Sequence, residues 1–409
     1  MNGNDRSILA IAMTGHGMVH AFEMSIPVFL TYWMVAFDVG SGTMGTVVAV
    51  GYALFGIGSL PAGIAADVYG SKRLVIGCLL GMGLGFLLLG FGGIAGLTAA
   101  LLVWGAGASL YHPSGLRLIS TGIEDRGSAF AFHGMAGNLG ITLGPLIAVL
   151  LLMTLPWRTV TAAFAIPAII AAIAIALVDV DETAAVAESN GSGSGGSGTG
   201  DPPSVREVLT DSRTLFAGLF AIVFAIVVLQ GFFYRGILTF LPEILSDSPV
   251  LEPVVLLDRE VAPSRYVYVA LLCVGMGGQY VGGRLSDRYP PEQVAIGAFL
   301  LLAALSLAFV PAAAFGVVAV VGVSLLLGFV LFGEQPLMQA VVAEYTGSGD
   351  RGIAYGYMYL ANFGVGSLGA AVSGAILAYT TQRALFLLLA IVPAAAAVAS
   401  ATLFRYGRG

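Results

Sequence analysis

Charged residues are scarce in this chain, and their scarcity excludes a water-soluble fold. Only 10% of the 409 residues are charged and 58% are hydrophobic, whereas soluble chains carry about 25% charged residues. A soluble protein of this length could not bury so much apolar surface, so lipid must be the solvent of most of the chain. Lysine is nearly absent, Lys72 being the only one, and the net charge is −6. This balance excludes a basic nucleic-acid-binding surface.

Paired cysteines and recognisable catalytic motifs are also missing. Cys78 and Cys273 each lie alone in an apolar run, which excludes a disulfide framework and a cysteine-based metal site. The metallopeptidase motif HExxH and the serine-hydrolase motif GxSxG do not occur. We therefore predict that the protein is not an enzyme, that it binds no metal or cofactor, and that it needs no obligate protein partner.

Long apolar runs, by contrast, are abundant. A membrane-spanning helix needs about 20 mostly apolar residues, and the chain contains twelve such runs, at approximately 8–34, 43–66, 74–92, 95–119, 128–153, 158–178, 214–242, 265–285, 294–313, 316–344, 352–378 and 384–404. A Gly/Ser-rich tract separates the first six from the last six and is typical of a flexible tether. The predicted organisation is a six-helix bundle at 1–178, a linker at 179–213 and a second six-helix bundle at 214–409.

Basic residues are distributed unevenly about these runs. With the N-terminus inside, twelve Lys and Arg residues fall on one side and four on the other, with Arg235 left within a span. Positive charge marks the cytoplasmic side of a membrane protein. Both termini and the linker are therefore predicted to be cytoplasmic, in a multi-pass protein of the cell membrane. The first span is predicted to act as an uncleaved insertion signal.

Three short motifs recur in the two halves of the chain, in the same order and at nearly one offset. The pairs are Gly63-Ile-Ala-Ala-Asp67 with Gly283-Arg-Leu-Ser-Asp287, Asp125-Arg-Gly127 with Asp350-Arg-Gly352, and Asn138 with Asn362. An ordered set of matches indicates a duplicated six-helix unit. Parallel repeats of this kind are the architecture of one large class of transporters, in which the solute site lies between the halves.

The residues of one loop resemble a known family. The pattern Gly63-x3-Asp67-x2-Gly70-x-Lys72-Arg73 is similar to the signature loop of the major facilitator superfamily, and the resemblance extends from about residue 8 to 404. Three further segments resemble the branch of fosmidomycin-resistance-type efflux proteins, namely His16-x3-His20-x2-Glu23, Tyr111-His-Pro-Ser-Gly115 and Phe132-His-Gly-Met-Ala-Gly-Asn-Leu-Gly140.

The resemblance implies an all-α membrane protein with twelve transmembrane helices in two pseudo-symmetric six-helix bundles. It also implies a secondary transporter that moves a small solute by alternating access. Proton-coupled efflux of a drug, an antibiotic or a small organic anion is favoured, with protons and the lipid bilayer as its other partners. A proton-coupled uptake symporter remains an alternative, and a membrane sensor without transport activity is a third.

The same resemblance assigns roles to loop and packing residues. A gating role is implied for Gly63, Asp67, Gly70, Lys72 and Arg73 and for the second copies Gly283, Asp287 and Arg288. The segment Gly140-x3-Gly144-Pro145 is similar to an antiporter motif of the fifth helix and is interpreted as a packing and kink element. The chain departs from the family pattern at Val68, where an Arg is usual, and in the fourth helix, which lacks an intramembrane Arg.

Ionisable residues within the predicted spans are the candidates for proton coupling or solute binding, because each costs roughly 2.5–3.5 kcal/mol to insert. His16, His20 and Glu23 follow the spacing i, i+4, i+7 and share one helix face. Proton exchange or binding of a polar solute competes here with interhelical hydrogen bonding as the explanation. His112 and His133 are predicted to form a separate tier, nearer the inner ends of the fourth and fifth helices.

Two further ionisable residues lie in the second half. Arg235 stays charged at any working pH and is predicted either to bind an anionic solute or to neutralise Glu23. Glu334 is interpreted as a proton acceptor, with a purely structural role as the alternative. The repeated Asn138 and Asn362 complete the set of candidate residues.

Overall fold

The computed structural model describes residues 1–186, 205–256, 259–346 and 351–407. Nearly all of these residues are helical. The Gly/Ser tract of the linker and Asp350 of the second Asp-Arg-Gly motif lie outside the described residues.

Six long helices, numbered one to six in chain order, form the first part of the chain. They are Gly3–Phe37, Ser41–Tyr69, Ser71–Leu88, Ile94–Gly122, Arg126–Leu152 and Trp157–Ala176. Helix four consists of two segments, Ile94–Ser109 and Tyr111–Gly122, joined at Leu110. The junction lies just before Pro113, which has no backbone N–H and so cannot complete the regular hydrogen-bond ladder.

Helices seven to twelve follow. They are Phe220–Ser246, Pro263–Ser286, Pro291–Ala312, Val317–Glu344, Arg351–Tyr379 and Gln382–Gly407. Helix eleven contains a π-helical segment, Leu360–Gly364, and a 3₁₀ turn, Val365–Ser367. The elements that the sequence did not predict are a short helix, Val205–Phe216, a 3₁₀ turn, Ala313–Phe315, and an antiparallel pair of strands, Val254–Leu256 and Arg259–Val261.

Eleven of the described helices are long and apolar enough to cross a membrane. Helix eight is the exception, because its 24 residues include Arg265, Gln279 and Arg284. Its glycines lie directly against helix ten: a Cβ atom on Gly278 would come within 1.9 Å of the Phe329 carbonyl oxygen. Close packing against protein therefore shields one face of this more polar helix. With it, the structure has the twelve long helices that the sequence predicts.

Contacts group the chain into two compact units. Unit one comprises Met1–Ser25, Leu54–Gly144 and Leu155–Leu209, and unit two comprises Ile26–Ala53, Pro145–Thr154 and Thr210–Gly409. Parts of helices one, two and five thus belong to unit two. Within unit two, helix two packs on helix eleven through glycines, since a Cβ atom on Gly45 would lie 2.5 Å from the Ala370 carbonyl oxygen. The predicted boundaries at 178 and 214 stay a prediction.

Candidate functional site

A chain of hydrogen bonds links the three ionisable residues of helix one. His20 Nδ1 lies 2.7 Å from Glu23 Oε2, and His20 Nε2 lies 3.1 Å from His16 Nε2. Glu23 is buried, with 1% of its surface exposed, and the His20 side chain is 14% exposed. The shared helix face predicted from the spacing is therefore lined by groups that bond to one another.

Helices four and five add two more histidines to this chain. The His16 ring stacks on the His133 ring, with centroids 3.9 Å apart, and His16 Nδ1 lies 2.7 Å from the His133 carbonyl oxygen. The His112 ring lies 5.5 Å from His16 and 5.6 Å from His20. All four histidines of the protein thus form one group in unit one, which we call the histidine cluster.

The prediction of two separate tiers is wrong. The helices extend beyond the predicted spans, so distances counted from span ends misplace the side chains. Helix four ends at Gly122 and not at residue 119, which places His112 ten residues from its end and about 15 Å along the axis. The depth of a side chain within a bundle depends on where its helix begins and on how the helices pack. Neither can be predicted from a single apolar run.

Glycines of helices one and five make room for the cluster. A Cβ atom on Gly137 would lie 2.5 Å from the His16 ring, and one on Gly15 would lie 2.2 Å from the Tyr111 ring. Gly140 and Gly144 place helix five directly on the backbone of helix one, because added Cβ atoms would lie 2.0 and 2.3 Å from its carbonyl oxygens. Small residues permit this close approach between membrane helices.

Tyr111 joins the cluster, although the sequence analysis did not single it out as a site residue. It is fully buried, and its hydroxyl lies 3.0 Å from His133 Nε2 and donates to the Ala12 carbonyl oxygen. Gly15 and Gly137 were missed as well. The signal available for all three was adjacency, because each lies within four residues of a histidine that was identified.

The hydrogen-bond geometry determines how many protons His16, His20 and Glu23 hold together. His16 Nδ1 faces a carbonyl oxygen, which only accepts, so this nitrogen donates. With neutral His16, the Nε2 lone pair needs a donor, which His20 Nε2 must supply. His20 Nδ1 then makes one of two hydrogen bonds with Glu23. A protonated Nδ1 donates to an ionised carboxylate, and an unprotonated Nδ1 accepts from a neutral carboxylic acid.

In both arrangements the three groups hold one proton more than two neutral imidazoles and an ionised carboxylate would hold. The count is the same if His16 is the protonated imidazole and donates to His20. The geometry therefore fixes the number of protons that His16, His20 and Glu23 hold together.

A second group of side chains surrounds Arg235 in unit two. The guanidinium lies over three aromatic rings, at 3.9 Å from the Tyr52 centroid, 5.3 Å from Tyr234 and 5.0 Å from Phe363. Arg235 is 2% exposed. Cation–π attraction stabilises a guanidinium in such surroundings, and it grows as water is excluded. Phe363 belongs to the π-helical segment of helix eleven, a distortion that is frequent at functional sites.

The remaining candidate residues, Asn362, Glu334 and Asn138, lie in different surroundings. Asn362 also belongs to the π-helical segment, and its backbone packs against Gly231. Glu334 is fully buried in helix ten and interacts with the side chain of Gln230 on helix seven. A charged carboxylate in that position would be costly. Asn138 is half-buried on helix five, next to Gly137.

The signature loop is held by an ion pair and by helix termini. Asp67 accepts a hydrogen bond from Arg117 Nε at 2.7 Å. The N-terminus of helix three donates instead to Glu182, whose carboxylate lies 2.7 Å from the Ser71 nitrogen and 3.1 Å from the Lys72 nitrogen. Negative charge is favoured at a helix N-terminus. Arg117 and Glu182 are thus partners of this loop that the sequence analysis missed.

Some of the other loop residues make contacts within the protein, and others are exposed. Gly70 adopts φ +86°, a conformation that favours glycine. Gly63 lies half-buried in helix two, four residues before Asp67. Lys72 Nζ binds the Val178 carbonyl oxygen at 2.5 Å, whereas Arg73 is exposed. In the second copy, Gly283 packs against nothing within 4 Å of an added Cβ atom. Asp287 and Arg288 are exposed, and within the described part of the chain Asp287 forms no ion pair, whereas Asp67 pairs with Arg117.

The described part of the chain combines twelve long helices, a buried cluster of histidines, an arginine among aromatic rings and a signature loop, as in a polytopic membrane transporter. The chain matches the Major Facilitator Superfamily over residues 12–367 and 278–408. It therefore belongs to that superfamily. It is a multi-pass membrane protein and a secondary transporter of small molecules that works by alternating access, and it is not an enzyme.

Solved transporter structures share this fold at low sequence identity. A bacterial homolog of the human lysosomal transporter Spinster, in an inward-facing conformation, gives a TM-score of 0.72 at 13% identity, covering 99% of this chain and 98% of that one. The nucleoside transporter NupG gives 0.74 at 15%, covering 97% and 100%. The peptide transporter POT with alafosfalin gives 0.73 at 14%, covering 97% and 94%. No protein of curated function matches the chain in sequence.

Proposed function

We propose that this transporter exports a small organic solute in exchange for protons, with the hydrogen-bonded chain His16–His20–Glu23 as the proton site. The observation that carries the proposal is the 3.1 Å contact between the Nε2 atoms of two histidines whose Nδ1 atoms are both engaged. Two lone pairs cannot face each other at this distance. A proton must lie between these two atoms, and after loss of the extra proton the three contacts cannot all be hydrogen bonds.

Gain or loss of this proton changes both the net charge of His16, His20 and Glu23 and the hydrogen bonds between them. With the proton bound, the His20–Glu23 pair is neutral overall and the contact to His16 is made. Without it, His20 donates to an ionised Glu23, its Nε2 has no proton for His16, and the cluster carries a negative charge. Buried charge is costly in the membrane, so the two protonation states favour different arrangements of helices one, four and five. Such a bistable element is what alternating access requires.

The proposed direction and topology rest on the sequence. The resemblance to fosmidomycin-resistance-type proteins supports antiport and efflux. The distribution of Lys and Arg supports a cytoplasmic location for both termini. Glu334 is proposed as a second proton acceptor, because a carboxyl group buried at this depth is favoured in its neutral form.

Direction and coupling can be measured together in everted membrane vesicles with an acidic lumen. A panel of phosphonates and short carboxylates is added while a pH-sensitive dye reports the gradient. Antiport predicts that a transported solute enters the lumen and dissipates the gradient. If a preloaded solute instead leaves the lumen together with protons, the protein is an uptake symporter. Binding without any flux would identify a sensor, and flux that ignores the gradient would end the proposal of proton coupling.

Arg235 is proposed to recognise an anionic group of the solute. Arg235→Lys keeps the positive charge but loses the planar group that stacks on Tyr52 and binds an anion through two N–H donors. Stacked guanidinium contacts contribute about 0.5–2 kcal/mol. We therefore expect the solute concentration for half-maximal transport to rise roughly two- to thirtyfold, measured with the solute that the vesicle assay identifies.

The competing role of Arg235, neutralising Glu23, makes a different prediction. If Arg235 serves Glu23, then Arg235→Gln combined with Glu23→Gln should recover the solute binding that Arg235→Gln alone loses, because no uncompensated charge remains. If Arg235 binds the solute, the double variant should bind as weakly as Arg235→Gln. Thermal-shift titration with the same solute separates the two, since a bound ligand raises the apparent stability.

A further inference from the structure

We infer that the histidine cluster is a binding site for a divalent transition-metal ion of the zinc class, held by His16, His20 and His112. One ring nitrogen from each of these residues lies within 4.8 Å of the others. Two histidines bound tetrahedrally to zinc, at about 2.1 Å each, place their nitrogens about 3.4 Å apart. The Nε2 atoms of His16 and His20 are already 3.1 Å apart, close to this spacing.

The Nδ1 atoms of His16 and His20 have the partners that a metal site needs. A metal-binding histidine typically donates its other ring N–H to a carboxylate or a backbone carbonyl, which orients the ring. His20 Nδ1 lies 2.7 Å from Glu23 Oε2, and His16 Nδ1 lies 2.7 Å from the His133 carbonyl oxygen. Both rings therefore point Nε2 toward the same space, with the second-sphere bonds already made.

A cation between the rings satisfies the same lone pairs as the exchangeable proton. With an ion bound, both Nε2 atoms become ligands and His20 donates to an ionised Glu23, whose negative charge offsets part of the ionic charge. The other titratable groups that face this space are His133 and Tyr111. Three imidazoles favour zinc, cobalt, nickel or copper over magnesium or calcium. A fourth coordination position remains for water or an anionic ligand.

The metal site departs from the expectation that the protein binds no metal, which rested on sequence spacing alone. His112 lies on helix four and the other two ligands on helix one, so the set exists only in three dimensions. Metal ions compete with protons for histidine. Because the ion would occupy the position of the exchangeable proton, each bound ion should displace about one proton and should block proton exchange by the cluster.

Cobalt is the probe of choice, because tetrahedral Co²⁺ absorbs strongly in the visible range whereas hexahydrated Co²⁺ does not. Purified full-length protein carrying Cys273→Ser, which removes the exposed thiol, is titrated with Co²⁺ at neutral pH. We expect a saturable tetrahedral spectrum at one ion per chain, its loss on addition of Zn²⁺, and release of about one proton per ion into a weakly buffered solution containing a pH indicator.

Variants test the assignment of ligands. His112→Ala removes a ligand, and Glu23→Gln weakens a second-sphere bond, a change that typically costs 10- to 100-fold in metal affinity. The matched control is Glu124→Gln, which makes the same chemical change as Glu23→Gln at an exposed position outside the histidine cluster. It should bind Co²⁺ within about threefold of the parent, well inside the ligand effect.

Three results would overturn the inference: no tetrahedral spectrum in the parent protein, unchanged affinity in His112→Ala, or a loss in Glu124→Gln equal to that in His112→Ala. If a variant does not remain monodisperse, the parent titration decides alone. The measurement involves no transport, so its failure leaves proton coupling intact, and a failure of proton coupling in vesicles leaves the metal site intact.

Discussion

Glu23→Gln is expected to abolish transport driven by a pH gradient while leaving solute binding and solute–solute exchange largely intact. A glutamine amide can donate to His20 Nδ1, which lies 2.7 Å from the carboxylate in the native protein. His20 can then donate from Nε2 to His16, as in the protonated chain. The variant therefore imitates the protonated state but has no proton to release, so the cycle loses its driving force without losing the fold.

The measurement for this variant compares two modes of transport in proteoliposomes. Gradient-driven accumulation should fall to the level of protein-free vesicles, whereas counterflow of labelled solute against unlabelled solute should persist. Glu124→Gln is the matched control, since it makes the same chemical change at an exposed position between helices four and five and should transport like the parent. Gradient-driven accumulation that survives in Glu23→Gln would remove this residue from the coupling scheme.

Gly140→Ala is expected to be the most destabilising single-methyl substitution in helix five. Its Cβ atom would lie 2.0 Å from the Gly17 carbonyl oxygen. The obstructing atom belongs to the backbone of helix one, so no side chain can rotate away to relieve the clash. Overpacking of this kind costs typically about 1–3 kcal/mol, and helix one must move away from helix five. The midpoint of thermal denaturation in detergent should fall by several degrees.

The same helix offers a matched control. Gly134 lies six residues earlier in helix five, and a Cβ atom there would meet nothing within 4 Å. Gly134→Ala should therefore be neutral or should raise the midpoint slightly, because alanine is the better helix former by about 1 kcal/mol. Equal midpoints for Gly134→Ala and Gly140→Ala would show that helices one and five do not pack backbone to backbone at Gly17.

Displacing helix one should also disturb the histidine cluster. His16 stacks on His133 of helix five at 3.9 Å, one residue away from the packed Gly17. Gly140→Ala is thus expected to reduce gradient-driven transport as well as stability, whereas Gly134→Ala should leave both unchanged. The close packing of glycines and the proton chain are two parts of one arrangement.

The two halves of the chain have diverged around a common fold. The first half carries the histidines and the loop in which Asp67 pairs with Arg117. The second half carries Arg235 among aromatic rings, while its copy of the loop residue, Asp287, is exposed. The ionisable residues within the helices thus differ between the two halves of the sequence. We propose that the first unit handles the proton and the second the solute.

Much of the fold could be predicted from the sequence, because membrane insertion depends on local composition. Runs of about 20 apolar residues predict helices wherever they occur, and all twelve predicted runs overlap a long helix of the structure. The ionisable residues were predicted as candidates for the same reason, since each is costly in lipid whatever its neighbours are. The signature loop identified the superfamily without any structural information.

The composition of the site was decided by the tertiary structure. Which histidines meet depends on the depth and rotation of packed helices, and apolar residues that face lipid look the same in sequence as those that face protein. For this reason His112 and His133 were assigned to a separate tier, and Tyr111, Arg117 and Glu182 were missed. Local hydrophobicity determined the number of helices and which residues needed a polar environment. Only the close approach of helices one, four and five, made possible by glycine, determined which of those residues meet in one cluster.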